Sequence, residues 1–147
     1  MEVAVVTIPA EEVRPLRGRL LRPGQSAEEL VYPGDALPGA LHLGAWVDGE
    51  LAGIASVSPE PVPGSSDGDA WRVRGMATVP EVRGRGVGAA LLEACLEHAR
   101  AQGGRVAWCN ARTPAVGFYE RFGFHVEGEE FELPGIGPHF LMRRALG

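Results

Sequence analysis

The chain has 147 residues, a formal net charge of -5 and 45% hydrophobic residues, which together predict one globular domain. The acidic balance argues against a nucleic-acid-binding protein, and the apolar runs are too short to span a bilayer. Because Glu2 stands early and no basic region precedes an apolar run, we expect no signal peptide and take a cytoplasmic location as the default.

The first half of the chain predicts one helix and three strands before residue 70. A Val-rich run over 2–8 predicts a strand, and Pro9 opens a helix that extends to about Leu21. Repeated Pro and Gly residues make 24–40 irregular. Strands are predicted on both sides of Asp48-Gly49, a dipeptide typical of a tight β-hairpin turn.

The second half predicts a βαβ arrangement followed by further strands. A strand over 71–79 contains Gly75, which indicates a bulge or a close backbone approach by a ligand. A helix over 87–102 has apolar residues at four-residue spacing and stops at Gly103-Gly104. The remaining predicted elements are a strand over 105–110, a short helix over 114–122, and strands over 124–127 and 140–143. The predicted fold is α/β (α+β), with a central mixed, mostly antiparallel sheet of about six to seven strands flanked by helices.

The loop over 83–88, Arg-Gly-Arg-Gly-Val-Gly, carries most of the functional information. Alternate glycines bare the backbone amides at the positive end of the following helix, which suits a phosphate or pyrophosphate. A P-loop is excluded because the chain contains no Lys. A dinucleotide-binding oxidoreductase is a weaker alternative, since the loop lies past mid-chain and the next strand ends at Asn110 without an acidic residue. A turn that binds nothing remains a third interpretation.

Two segments resemble the GNAT N-acetyltransferases. The family's Arg/Gln-x-x-Gly-x-Gly/Ala signature is matched by Arg83, Gly86 and Gly88. Its Ala-x-x-Phe-Tyr-x-x-x-Gly-Phe segment is matched over 115–124. The resemblance extends from about residue 40 to 145 and implies a single GNAT-like domain over 1–147. The segment Trp-Cys-Asn-Ala-Arg over 108–112 departs from the family's pattern and marks an uncharacterised branch.

The resemblance implies an acyltransferase that moves an acetyl group from acetyl-CoA to a primary amine of a small molecule or peptide. Pyrophosphate would lie on the loop amides, and pantetheine would pair with the preceding strand as an added strand. A backbone amide near the bulge would polarise the carbonyl. The predicted cofactor-binding residues are Met76, Ala77, Thr78, Arg83, Gly84, Arg85, Gly86, Val87, Gly88 and Ala89.

Tyr119 is the predicted general acid, because a phenol with a reference pKa of about 10 stays protonated at pH 7 and can protonate the departing thiolate. The general base is open. Glu81 and His139 are the candidates retained from several acids and histidines, and His139 is equally interpretable as a loop histidine that only makes structural contacts. Many family members place an Asn seven residues before the Tyr, where this chain has Arg112.

Arg112 suits a substrate carboxylate, although a surface ion pair is an equal alternative. With Asn110 and Arg74 it makes up the predicted acceptor side. Cys95 and Cys109, the two cysteines, predict neither a disulfide framework nor a metal site. A non-catalytic acyl-CoA-binding sensor or regulatory module is the alternative function. Neither nucleic acid nor membrane is an expected partner, and the resemblance makes a homodimer plausible.

Overall fold

The computed structural model describes residues 2–147, so Met1, at the start of the segment used to argue against a signal peptide, lies outside it. Helix α1 (Ala10–Leu16) continues as a π-helical turn (Arg17–Leu21), and the other helices are α2 (Val87–Ala101) and α3 (Val116–Glu120). Short 3-10 turns precede α2 and α3 at Pro80–Val82 and Thr113–Ala115. The strands are β1 (Val3–Thr7), β2 (Leu41–Val47), β3 (Glu50–Ser58), β4 (Ala70–Thr78), β5 (Val106–Arg112), β6 (His125–Val126), β7 (Phe131–Leu133) and β8 (Gly137–Ala145).

The strands form one mixed sheet that opens into a wedge at its centre. Its order is β1-β2-β3-β4-β5-β8-β6, with β7 also paired to β8. Every pairing is antiparallel except that of β4 with β5, which covers only Ala70–Arg72 against Val106–Trp108. Beyond this short ladder β4 continues to Thr78, still paired with β3, and β5 continues to Arg112, still paired with β8, but the two strands no longer pair with each other. The facing edges of the two strands are therefore available to a ligand.

Local sequence signals explain the elements that frame the wedge. Asp48 and Gly49 have φ values of 49° and 85°, the double positive φ of the predicted hairpin turn. Helix α2 buries one apolar stripe against β3 and β4. At Gly75 φ is 65°, and the β3–β4 register slips there, which confirms the predicted bulge. The buried stripe of α2 consists of Val87, Leu91, Leu92, Cys95, Leu96 and Ala99.

Two predictions from the pattern need correction. The helix opened by Pro9 does not run regularly to Leu21, because Pro15 cannot donate an i→i−4 bond and the chain widens into a π turn at Arg17. The sheet has eight strands where six to seven were expected. The strand that was missed, β7, is short and pairs with β8 through a turn closed by the Ile136 N–H and the Leu133 carbonyl at 2.9 Å.

The irregular segment over 24–40 is fixed to the sheet by a buried polar cluster. Arg17 is fully buried, and its guanidinium donates to both carboxylate oxygens of Asp35 at 2.7 and 2.8 Å. It also donates to the Ser56 hydroxyl at 3.0 Å, and His42 links Ser56 to the Asp35 backbone carbonyl. The cluster places Tyr32 at the mouth of the wedge. Within residues 2–147, no helix has the length and apolar character needed to cross a membrane.

Candidate active site

The glycine loop forms an open cradle at the N-terminus of α2. Gly84 and Gly86 have φ values of 77° and 83°, which L side chains rarely adopt. A Cβ atom added at either glycine would meet no atom within 4 Å. The first helical bond of α2 runs from the Ala90 N–H to the Gly86 carbonyl at 3.0 Å, so the amides from Val87 to Ala89 have no intrahelical acceptor. This arrangement fits a diphosphate.

Three neighbouring cavities lead from this cradle into the wedge. The loop cavity, about 390 Å³, lies over Gly84–Ala89 and is closed on one side by Phe118 and Phe122. The central cavity, about 560 Å³, shares Thr78, Arg83, Gly88 and Phe118 with the loop cavity. The inner cavity, about 140 Å³, lies between β4 and β5. It shares with the central cavity Leu21, Met76, Arg112, Ala115 and Tyr119.

The unpaired edge of β4 lines the route between the cavities. Met76, Ala77 and Thr78 all border the central cavity. Arg83 joins the strand to the loop, because its Nε donates to the Thr78 carbonyl at 3.3 Å. The bulge at Gly75 turns the backbone just before this edge. The backbone groups of the edge are thus presented to an extended ligand in the manner of a missing neighbour strand.

Tyr119 lies where the central and inner cavities meet. It is 8% exposed, and its ring packs edge-on against Phe118 and Phe124. Burial raises the pKa of Tyr119 well above its ordinary value, and the neighbouring Cys109 and Cys95 raise it further. The phenol therefore stays protonated at neutral pH. Tyr119 thus packs in the aromatic core and also lies on the wall of both cavities, where the sequence predicted a general acid.

His139 and Arg112 face one another across the β5–β8 ladder and both line the inner cavity. His139 is 4% exposed, and its ring stacks on Phe131. Its Nδ1 lies 2.8 Å from the Gly137 carbonyl. Because a carbonyl oxygen only accepts, Nδ1 carries the hydrogen, and Nε2 of the neutral ring holds the lone pair. In this neutral tautomer, Nε2 of His139, a residue that lines the inner cavity, can accept a proton.

The predicted acceptor residues Arg74, Asn110 and Arg112 all border the inner cavity. Other predicted residues do not reach a cavity with their side chains. Glu81 is exposed on the 3-10 turn and lines none of the three cavities, and Val87 is buried in the core. Arg85 is exposed beside the cradle and likewise lines none of them.

Among the inner-cavity residues that sequence reasoning missed are Arg22 and Tyr32. Both lie in the stretch after α1, where no periodic pattern was available. Tyr32 is 6% exposed, with the Arg17 guanidinium 3.9 Å from its ring centroid and that of Arg74 at 4.0 Å. The signal for Tyr32 is its stacking with two arginines. These contacts join residues that are distant in the chain, so they cannot be recognised from the sequence.

Burial makes the two cysteines, Cys95 and Cys109, poor nucleophiles. Burial raises the pKa of Cys95 to about 12, and burial likewise raises that of Cys109 to about 12, so both remain thiols at neutral pH. Both are free and buried, in agreement with the sequence interpretation. Residues 2–147 bring no three His, Cys, Asp or Glu side chains together in a way that could hold a metal ion.

The profile of the acetyltransferase (GNAT) family matches residues 11–124, which includes α1, β4, the glycine loop, α2 and the Phe-Tyr segment. The chain belongs to the GNAT family of acetyltransferases. The uncharacterised N-acetyltransferase YitI of Bacillus subtilis is 41% identical over 143 residues, which cover 97% of this chain and 95% of YitI. Family and relative together make this GNAT protein an N-acetyltransferase, an enzyme of the acyltransferase class.

Solved structures share the GNAT fold at low sequence identity. ElaA of Escherichia coli has a TM-score of 0.78 at 20% identity, over 97% of this chain and 99% of ElaA. An acetyltransferase of the GNAT family from Streptococcus pneumoniae has a TM-score of 0.73 at 20% identity, over 99% and 100% of the two chains. The single-domain fold with its central mixed sheet is therefore confirmed. GNAT enzymes use acetyl-CoA, and the glycine cradle fits its diphosphate.

A substitution in the cradle separates backbone strain from ligand binding. We expect Gly86→Ala to weaken acetyl-CoA binding about 10- to 100-fold, because the added methyl group occupies the cradle and the loop amides turn away from the diphosphate. The matched control is Gly64→Ala, since Gly64 also has a positive φ, 84°, and open space around it. Both variants should lose about 1 kcal/mol of folding stability. Calorimetric titration with acetyl-CoA checks the difference, and equal Kd values for the two variants would contradict it.

Proposed function

We propose that this GNAT enzyme transfers the acetyl group of acetyl-CoA directly to a primary amine of a small molecule or peptide. The observation that carries the proposal is the position of Tyr119 between the central and inner cavities. The glycine cradle lies at one end of this series of cavities and the histidine-bearing wedge at the other. A thioester that extends from the cradle and an amine in the inner cavity would both lie next to the Tyr119 phenol.

The residues of the chain divide the work. The cradle amides and Arg83 would hold the diphosphate, and the free edge of β4 would pair with the pantetheine amides. When bound, acetyl-CoA supplies the activated acetyl group. An amide of the bulge near Gly75, which lines the inner cavity, would polarise its carbonyl. Tyr119 donates its proton to the thiolate that leaves, and Nε2 of His139 accepts the proton of the amine.

His139 is favoured over Glu81 as the base because only His139 borders the inner cavity. The acid and the base are different side chains on different elements, so no residue has to serve both steps. Bonds and protons balance: a C–N bond forms and the C–S bond breaks. The substrate ammonium gives one proton to His139 before attack and a second to solvent as the adduct collapses, while Tyr119 gives a proton to sulfur and regains one from solvent. A cytoplasmic location and a homodimer stay predictions.

The non-catalytic alternative, a module that only binds acyl-CoA, would keep the cradle and need no proton donor or acceptor in the wedge. Membership of an acetyltransferase family favours the enzyme. The test combines binding and turnover on the same protein. At a hundred times its Kd, acetyl-CoA should stabilise the fold by about 2.7 kcal/mol, and a panel of amines should release free thiol above a control without acceptor. Binding without any amine-dependent thiol release would support the module.

Replacing His139 with Ala should lower kcat about 100-fold or more, because the amine would lose its proton acceptor. Exogenous imidazole should restore part of the loss. His125→Ala is the control, since His125 is exposed on β6 and borders none of the cavities. Steady-state kinetics with saturating acetyl-CoA checks the effect. An unchanged kcat, or a loss that imidazole leaves untouched in a folded variant, would remove His139 from the proton path.

A further inference from the structure

The inner cavity is strongly cationic in a protein that is acidic overall. Four arginines, Arg22, Arg72, Arg74 and Arg112, contribute to its wall, and its lining within residues 2–147 contains no Asp or Glu. An amine enters such a cavity as an ammonium only against electrostatic repulsion. A substrate that brings its own negative charge would instead be attracted.

The side chains of Arg74 and Arg22 make no hydrogen bond or ion pair to any residue in 2–147. The Arg74 guanidinium stacks on the Tyr32 ring, 4.0 Å from its centroid. Burial, and next the charge of Arg72, lower the pKa of Arg74 to about 10, which leaves it charged at neutral pH. The Arg17 guanidinium, 3.9 Å from the centroid of the same ring, is paired with Asp35 through both terminal nitrogens. Arg17 thus stabilises the fold, whereas Arg74 lines the cavity without such a partner.

The neighbours of Arg74 leave donors available as well. Arg112 uses Nη2 to donate to the Leu21 carbonyl, and its other N–H groups are not engaged within the described chain. Arg72 is partly neutralised by Glu60, with 3.7 Å between the nearest charged atoms. The Arg22 guanidinium lies over the Tyr32 ring, 5.9 Å from its centroid. Among these arginines, Arg74 and Arg112 lie on the facing edges of β4 and β5, where both have donors left for a ligand between the strands.

These arginines are separate from the cradle that fits the diphosphate. The inner cavity and the loop cavity have no lining residue in common, and the central cavity lies between them. The phosphates of acetyl-CoA therefore do not account for the positive charge in the wedge.

We propose that the acceptor is an amine that also carries an oxyanion, a carboxylate or a phosphoryl group, and that Arg74 and Arg112 bind this oxyanion in the inner cavity. The proposal rests on the acetyl transfer proposed above and names its substrate class. Planar guanidinium forks match carboxylate and phosphoryl oxygens, and Tyr32 holds the fork of Arg74 flat. The arginines also assist the chemistry, since nearby positive charge disfavours the ammonium form of the amine and eases its loss of a proton to His139.

The test compares matched acceptors and matched variants in the complete protein. The acceptors are amino acids with varied spacing between amine and carboxylate, their primary amides, aminoalkylphosphonates and simple alkylamines. We expect kcat/KM for the best anionic acceptor to exceed that of its neutral counterpart about 100-fold. Arg74→Gln should lower that ratio about 10- to 100-fold, mainly through KM, and leave the acetyl-CoA Kd unchanged. Carboxylate and phosphonate arms distinguish the two anions.

Arg100→Gln is the control variant, because Arg100 forms a surface pair with Glu97 on α2 and borders no cavity. Arg74→Lys keeps the positive charge but loses the planar guanidinium. Its ratio of kcat/KM for anionic over neutral acceptors should lie between those of wild type and Arg74→Gln. A thermal melt of each variant shows that the fold survives. Arg74 acts on binding, so a drop in kcat alone, with the preference for anions retained, would overturn its assignment.

Binding of reaction products separates the two proposals. CoA-saturated enzyme is titrated with N-acetylated amino acids, N-acetyl aminoalkylphosphonates and the neutral N-acetyl amides. Selective binding of an anionic product, lost in Arg74→Gln, supports the anion site whether or not turnover is found. Acetylation of amines with no preference for an anion, or equal binding of anionic and neutral products, overturns the anion site and leaves the transferase standing. If the protein does not bind acetyl-CoA, the proposed function is wrong. Binding of the anionic products to the protein without CoA then decides whether the anion site exists.

Discussion

Tyr119→Phe is expected to lower kcat about 100- to 1,000-fold, the range for loss of a positioned general acid. The variant keeps the ring that packs against Phe118 and Phe124, so the change removes only the hydroxyl group. The acetyl-CoA Kd should stay within about twofold of wild type, since the cradle and the β4 edge are untouched. Stopped-flow or steady-state thiol release, together with calorimetry, checks both values.

Tyr32→Phe is the matched control, because Tyr32 is the other tyrosine of the chain and also borders the inner cavity. Loss of its hydroxyl should change kcat by less than about fivefold, since its ring provides the contact with Arg74. Were the two Phe variants equally impaired, or were Tyr119→Phe as active as wild type, the acid role of Tyr119 would be lost.

The pH dependence of the wild-type enzyme provides a second readout of Tyr119. Burial raises the pKa of this phenol well above its ordinary value, so the acid form is populated at every pH below the raised value. A general acid acts in its protonated form. Loss of the Tyr119 proton should therefore cause no decline of kcat below about pH 10, the ordinary pKa of a phenol. Any decline of kcat seen below that pH should persist in Tyr119→Phe. A Tyr119-dependent decline near pH 8 would contradict the burial of this group.

The cofactor half of the site was predictable from sequence because it is local. The alternate glycines of the loop, the helix start after Gly86 and the bulge at Gly75 are all encoded by residues near one another in the chain. The turn at Asp48-Gly49 was predictable for the same reason. Each of these features depends on backbone conformations that only a few residue types tolerate, and such preferences are visible in a single sequence.

The acceptor half was only partly predictable because it is built from distant segments. Arg112 and Arg74 were recognised as candidates, whereas Tyr32 and Arg22 come from a segment with no periodicity. That segment takes its position from Arg17, whose partners lie 13 to 39 residues away in the chain. Strand β7 was missed for a related reason: three residues are too few to show alternation, and the β7–β8 pairing defines them.

Arg17→Met is expected to destabilise the fold by about 3–5 kcal/mol at neutral pH, because it leaves the buried carboxylate of Asp35 without its partner. The Arg17 and Asp35 side chains are 0% and 6% exposed, and the pair is bidentate. Urea denaturation followed by tryptophan fluorescence measures the change. The control is Arg143→Met, which breaks an exposed pair with Glu127 at 3.3 Å and should cost at most about 1 kcal/mol.

The size of this loss should depend on pH in a defined direction. Burial raises the pKa of Asp35, but hydrogen bonds from Arg17 and from the Tyr32 N–H outweigh it and leave that pKa below its ordinary value. In wild type this contribution to stability is present above the unfolded pKa of about 3.9 and is lost as pH falls through the lower folded value. In Arg17→Met the Tyr32 N–H bond still opposes burial, but the contributions of Arg17 are lost, so the pKa of Asp35 rises and the stability that wild type has above pH 4 is reduced. The difference between the two proteins should widen from pH 4 to pH 7.

The double variant Arg17→Met/Asp35→Leu separates the cost of an unpaired charge from the value of the pair. With both charges replaced by apolar side chains of similar size, the protein should be more stable at pH 7 than Arg17→Met alone. The double variant should bind acetyl-CoA normally, because the glycine cradle is unchanged. It should lose the preference for anionic over neutral acceptors, because the Arg17–Asp35 pair also fixes Tyr32. A double variant no more stable than Arg17→Met, or a loss for Arg17→Met equal at pH 4 and pH 7, would show that packing of the arginine stem, and not charge pairing, holds this segment to the sheet.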